Sequence, residues 1–209
     1  MSAIRYKLIN TVLSKSGVLN HDYNIHKRYE ARKKTIFADK SLTKNEKTKA
    51  IKLLNEGYDK EKLIFNSGTK RICENCQLEC LATLFCEYCV RNYLKSNYSN
   101  WTSGNDDIDN LIQKCQMEMV SLKNIIEWIP YDNLQNIEFL TKGGCSEIYT
   151  AVWINGPYDE WDPKEQQLRR FGTHEVILKK LENVENANKS WFDEVCNFKI
   201  IKQFFKLHN

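Results

Sequence analysis

Five of the eight cysteines crowd into CENCQLECLATLFCEYC, between Cys73 and Cys89. Two residues separate Cys73 from Cys76, two separate Cys86 from Cys89, and nine lie between the pairs. A C-x-x-C turn brings two sulfurs to one side, so two such turns can offer four thiolates to one tetrahedral ion. Nine residues suffice for a hairpin that joins the pairs. Four thiolates at about 2.3 Å suit structural zinc and leave no open position for catalysis. Cys73, Cys76, Cys86 and Cys89 are therefore the expected metal ligands, and the competing reading is a set of buried thiols. Cys80 stands in the apolar run LECLATLF and is expected to pack as a small hydrophobe, the alternative being that it replaces a neighbouring ligand.

A second constellation lies further along. FLTKGGCSEIYTAVW carries the pair Gly143 and Gly144, which by itself reads as a hairpin turn. It gains meaning from VILK, Val176 to Lys179, on an expected strand, and from Glu194 on an expected helix. A glycine loop over phosphates, a strand lysine and a helix glutamate form the set that opens a protein-kinase domain. In that set the lysine contacts the α- and β-phosphates, and the glutamate holds it by an ion pair.

Three stretches stand in order before this set: CENC…CEYC, WTSGNDDIDNLIQKCQ and EWIPY. Over roughly residues 20–195 the chain resembles the expanded protein-kinase family of arbuscular mycorrhizal fungi, in which such stretches lead into a kinase domain. The resemblance implies ATP binding and protein phosphorylation as the family activity. It places Gly143 at the centre of the loop, beside Gly144, with Thr141 and Ser146 where kinases at large have their first and third glycines. Cys145 takes the place of the loop-tip aromatic and Ile148 that of the valine over the adenine, with Ala151 and Val176 near the base. Lys179 matches the phosphate lysine and Glu194 its partner. Replacing two of three glycines weakens close approach of the backbone to phosphate.

The 209 residues end fifteen past Glu194, where the catalytic aspartate and the magnesium-holding Asp-Phe-Gly of a kinase have no place. The expectation is a truncated kinase-family chain, catalytically silent and with weak or absent ATP binding. The alternative is a non-catalytic zinc-knuckle module that docks an unknown protein partner.

These residues need elements to hold them, and the expected fold class is α+β. Residues 1–20 read as a loose leader and 21–70 as a basic helical region. Within that region one helix is expected between His21 and Asp39. Another starts at a capping box of Thr43 and Glu46, carries Ile51 and Leu54 on one face, and stops at Gly57. A short helix then runs from Lys60 to Phe65. Residues 71–128 hold the zinc knuckle and a helix capped by Asp106 or Asp107 and running to about Val120, with Ile108, Leu111, Ile112, Cys115 and Met119 on one face. Residues 129–195 read as a partial kinase N-lobe, an antiparallel sheet plus one helix. There Pro130 opens an extended segment, and Phe139, Leu140, Ile148, Tyr149, Val152 and Trp153 suit two strands. Asn155-Gly156 marks a turn and HEVILKKL a further strand; the helix bearing Trp191 and Phe192 follows, exposed by the truncation. Residues 196–209 form a divergent basic tail.

Composition bounds the partners. Residues 1–70 carry 16 Lys and Arg against 7 Asp and Glu, and residues 71–209 carry 15 against 20. Such a basic half is more often the solvated face of helices than a nucleic-acid surface, so nucleic acid is not the expected partner. No apolar run is long enough to span a membrane. MSAIRYKLIN lacks the apolar core and cleavage site of a secretory signal, which points to the cytoplasm, where thiols stay reduced.

Overall fold

The computed structural model describes residues 4–18, 24–143 and 146–181, apart from the side chains at 143, 146 and 181. It is a mixture of helices and small antiparallel sheets, divided into two compact units, Met1–Tyr88 and Cys89–Asn209.

The first unit opens with a helix where a loose leader was expected: α1, Tyr6–Val18. Leu8, Ile9, Val12 and Leu13 form an apolar stripe that packs against α2, Ile25–Ala38, and α3, Lys44–Phe65. The stripe is helical because it is buried, and tertiary packing supplies most of the stability of such short helices. The shared core holds Ile9, Val12, Ile36, Leu42, Ala50 and Leu54. Arg5 fastens the start of α1 to α3, its Nη2 and Nε donating to Glu46 at 2.7 and 2.8 Å.

Glu46 also completes the expected capping box: Thr43 Oγ1 accepts from Glu46 N at 3.3 Å, and Glu46 Oε2 accepts from Thr43 N at 2.9 Å. Those donors hold its carboxyl well below the usual carboxylate range, Arg5 foremost. Gly57 does not stop this helix, and no separate helix begins at Lys60. α3 runs through both positions to Asn66, which closes it in the left-handed region at φ 44°. A helix-interior glycine costs about 1 kcal/mol relative to alanine, less than the buried contacts of Leu54, Asp59 and Lys62 on either side of it.

Two short strands, β1 (Arg71–Ile72) and β2 (Glu79–Cys80), pair antiparallel and enclose the first cysteine turn. α4, Glu87–Ser96, carries Cys89, the last cysteine of the cluster, and contains the division between the units.

In the second unit α5, Asp106–Met117, is capped by Asn105, whose side chain accepts from Asp107 N and Ile108 N. The expected caps Asp106 and Asp107 lie inside the first turn instead. WTSGN is the helix entry itself: Thr102 Oγ1 and Ser103 N donate to Asp109 at 2.6 and 2.8 Å, and Gly104 takes φ +78°. On its apolar face Ile112 is buried and Cys115 half-buried; the helix ends at Met117, short of the expected Val120, and Met119 is buried just beyond it.

After Pro130 a short 3-10 turn leads into β3, Leu134–Gly143, which pairs antiparallel with β4, Ser146–Trp153. β4 pairs in turn with β7, His174–Leu181, giving a sheet in the order β3-β4-β7. Its core face packs Ala151, Trp153, Val176 and Leu178 with Ile129 and Leu134.

A hairpin not anticipated from the sequence, β5 (Tyr158–Asp162) with β6 (Gln167–Arg170), intervenes between β4 and β7. Asp162 shapes its turn by accepting from Lys164 N and Glu165 N at 2.9 and 3.2 Å. The hairpin is fastened at its base by Arg170, which donates to Glu127 at 2.6 Å and lies 4.1 Å from the ring centre of Tyr158. Glu127 and Ile129 belong to EWIPY, so that stretch contributes an ion pair and a core residue. Gly156, at φ +59°, admits the backbone of Gly172 so closely that a Cβ there would stand 1.9 Å from its carbonyl oxygen.

Candidate metal centre

The four cysteines expected as ligands come together. The sulfurs of Cys73, Cys76, Cys86 and Cys89 all lie within 4.8 Å of one another, and those of Cys76 and Cys86 are 3.6 Å apart. Local geometry accounts for each pair. Cys73 N donates to Leu78 O at 2.9 Å and Gln77 N to Cys73 O at 2.9 Å, with Gln77 at φ +58° closing the turn that presents Cys73 and Cys76. Cys86 precedes α4 and Cys89 stands in its first turn. Four close cysteines can hold a metal ion, and an all-thiolate set is consistent with structural zinc.

Cys80 is fully buried. Burial pushes its thiol up, and its sulfur also lies within 4.8 Å of Cys86 and of the Glu87 carboxylate.

The interval between the cysteine pairs is the surprise. Leu81, Ala82 and Phe85 are buried, and a buried loop must find partners for its backbone. Four charged side chains provide them. Glu87 accepts from Leu81 N at 2.8 Å, and Asp59 accepts from Thr83 N and Leu84 N at 2.8 Å each. Arg71 donates to Ala82 O and Phe85 O at 2.9 and 2.6 Å. Lys62 donates to Leu81 O at 2.5 Å and Thr83 Oγ1 at 2.7 Å, and pairs with Asp59 at 2.9 Å. Asp59 is 1 % exposed and Lys62 4 %, so α3 grips the loop through an ion pair removed from water. Nothing in the spacing of these residues announces the arrangement. The signal available was two opposite charges one turn apart on a helix that leads into the cysteines.

The expected nucleotide residues divide. Gly143 pairs with Ser146 at the end of the β3–β4 hairpin, and Lys179 stands opposite Ile148. Lys179 is exposed and Ile148 half-buried, and the exposed Ile177, opposite Thr150 on the neighbouring strand, is on the same face. Ala151 and Val176 oppose each other on the other face and are buried in the core. Strand residues alternate sides, so positions an odd number apart cannot share one pocket wall. Ala151 and Val176 are thus placed apart from Lys179, and Ile177 takes the position beside it. Gly144, Cys145 and Glu194, together with the expected helix of Trp191 and Phe192, lie outside the described residues.

No protein-family model, curated protein or solved structure matches this chain. No helix among the described residues is long and apolar enough to cross a membrane.

Proposed function

We propose that this is a protein-kinase-family chain whose three-stranded sheet offers a nucleotide-binding face, stapled upstream by a structural zinc on Cys73, Cys76, Cys86 and Cys89. The observation that carries the reading is the register of β4 with β7. It puts the Lys179 ammonium on an open sheet face, two residue pairs in from the hairpin end at Gly143 and Ser146. A nucleotide lying on that face would meet the apolar side chains of Ile148 and Ile177, with its phosphates between the hairpin backbone and Lys179. ATP is the proposed ligand, and phosphoryl transfer is the activity of the family; for this polypeptide we propose nucleotide capture alone. The test is binding of a fluorescent ATP analogue with magnesium. Saturable binding that is lost in Lys179→Met supports the reading, since an exposed lysine can be replaced without disturbing the core. Absence of binding at millimolar nucleotide, or binding indifferent to Lys179→Met, overturns it.

A second reading is a non-catalytic module in which the zinc knuckle docks a protein partner. It is favoured by the closed four-thiol set and by the burial of Ala151 and Val176 away from Lys179. It predicts partner capture that survives Lys179→Met and fails in Cys73→Ser/Cys76→Ser.

A further inference from the structure

Beside the four-cysteine set lies a second group of donors. The sulfurs of Cys80 and Cys86 and a carboxylate oxygen of Glu87 all lie within 4.8 Å of one another. Two sulfurs and an oxygen held tetrahedrally by one ion, at about 2.3 and 2.1 Å, stand about 3.6–3.8 Å apart, so a contraction of about 1 Å closes the group on a metal. Local structure places each donor. Cys80 ends β2, Cys86 precedes α4 and Glu87 opens that helix, all within the first unit.

Glu87 points to an ion most directly. Its side chain belongs to the buried core, the residue being 5 % exposed, yet no ion pair among the described residues includes it. One oxygen accepts from Leu81 N at 2.8 Å, while the hydrogen bond of the other comes from Ala82 N at 3.5 Å. That is beyond the usual range for such a bond. The start of α4 offsets part of the charge. Buried charges are otherwise paired or coordinate a metal. Holding the loop engages one oxygen fully and leaves the second with lone pairs to give.

Cys80 is the fifth sulfur of the cluster and stands outside the four that share the first site. It is fully buried beside Cys86, which belongs to both groups. A thiolate can bind two ions at once, and a sulfur common to two donor sets is placed to do so.

We propose that Cys80, Cys86 and Glu87 bind a second divalent ion of the zinc class, with the Cys86 sulfur bridging the two metals. This ion presupposes the zinc proposed at Cys73, Cys76, Cys86 and Cys89, with which it shares a ligand. Two sulfur donors select a zinc-like ion over magnesium or calcium, which take oxygen. Three protein donors, one of them shared, hold an ion less tightly than four, so the site fills when metal is in excess. Water completes the fourth position.

The test adds cobalt, whose ligation by thiolate shows as a charge-transfer absorption, to the full zinc-loaded chain. The band is expected to saturate at one cobalt per chain with the zinc retained, and to be lost in Cys80→Ala, which keeps its zinc. The parent chain loaded with two cobalt ions in place of zinc should give a weaker electron paramagnetic resonance signal than with one, because the spins couple through the shared sulfur. A chain that takes up no zinc overturns the zinc reading and this site with it. A chain that holds one zinc but gives no cobalt band, keeps the band in Cys80→Ala, or surrenders its zinc as cobalt enters overturns the second site alone. Two cobalt ions with independent spins would overturn the bridge.

Discussion

Replacing Lys62 by methionine tests the grip of α3 on the cysteine loop. Methionine keeps the apolar stem but strips Leu81 O and Thr83 Oγ1 of their donor, and leaves Asp59 an anion facing two backbone N–H groups. Breaking a buried ion pair from one side costs about 3–5 kcal/mol, and the two orphaned acceptors, at about 1–3 kcal/mol each, fall within the same range rather than adding to it. The first unit should therefore lose about 4 kcal/mol of stability. Residues 81–84 lie between Cys80 and Cys86, so a loosened loop must also be ordered by the metal. If the whole penalty passes to that step, zinc affinity falls about a thousandfold, at about 1.4 kcal/mol per factor of ten. The double variant Asp59→Leu/Lys62→Met should not recover, because Asp59 also holds Thr83 N and Leu84 N. The assays are urea unfolding followed by far-ultraviolet circular dichroism and zinc competition against a chelator. Tryptophan fluorescence would miss the effect, since all five tryptophans follow Tyr88. A Lys62→Met protein within about 0.5 kcal/mol of the parent, a change typical of surface substitutions, and with unchanged zinc affinity would refute the reasoning.

Two further outcomes concern the metal and the hairpin. Elemental analysis of purified protein should find one zinc per chain, lost in Cys73→Ser but kept in Cys80→Ser; loss in the latter would make Cys80 a ligand. Burial pushes Glu127 from its ordinary 4.5 up to about 7, against the pull of Arg170. The folded state then holds a proton that the unfolded chain releases, so the associated stability is complete below about pH 4.5 and lost as pH rises through 7. Over the roughly 2.5 units between these values, at about 1.4 kcal/mol per unit, the loss is on the order of 3.5 kcal/mol. Glu127→Gln should flatten that slope in urea titrations read by tryptophan fluorescence, and an unaltered slope would show that the titrating group lies elsewhere.

What could be read in advance was local. The cysteine spacing, the capping box of Thr43 and Glu46, and the strands of HEVILKKL and its partners each depend on neighbours within a few residues. α1 was not legible as a helix because its stripe has meaning only against α2 and α3. Gly57 misled because a stop signal worth about 1 kcal/mol was weighed without the buried contacts beyond it. The β5–β6 hairpin hid in a stretch rich in charge, where Trp161 and Leu168 alone are buried apolar residues of its strands. The quartet Asp59, Lys62, Arg71 and Glu87 is scattered over nearly thirty positions and is joined only by the loop it surrounds. The division of Ala151 and Val176 from Lys179 was available from strand alternation, yet a motif match passes over the side to which each residue points.

The grip on the cysteine loop also sets an order on synthesis. The chain leaves the ribosome N-terminus first, so α3 emerges while the main-chain groups that Asp59 and Lys62 will hold are still inside the exit tunnel. Until Leu84 is clear, that end of the helix carries two charges without the loop groups that will hold them. The thiols of Cys86 and Cys89 follow a few residues later. The nascent helices thus wait for the knuckle, and a ribosome that stalls before Cys86 would display an unfinished first unit, open to proteases and chaperones at its zinc-facing end.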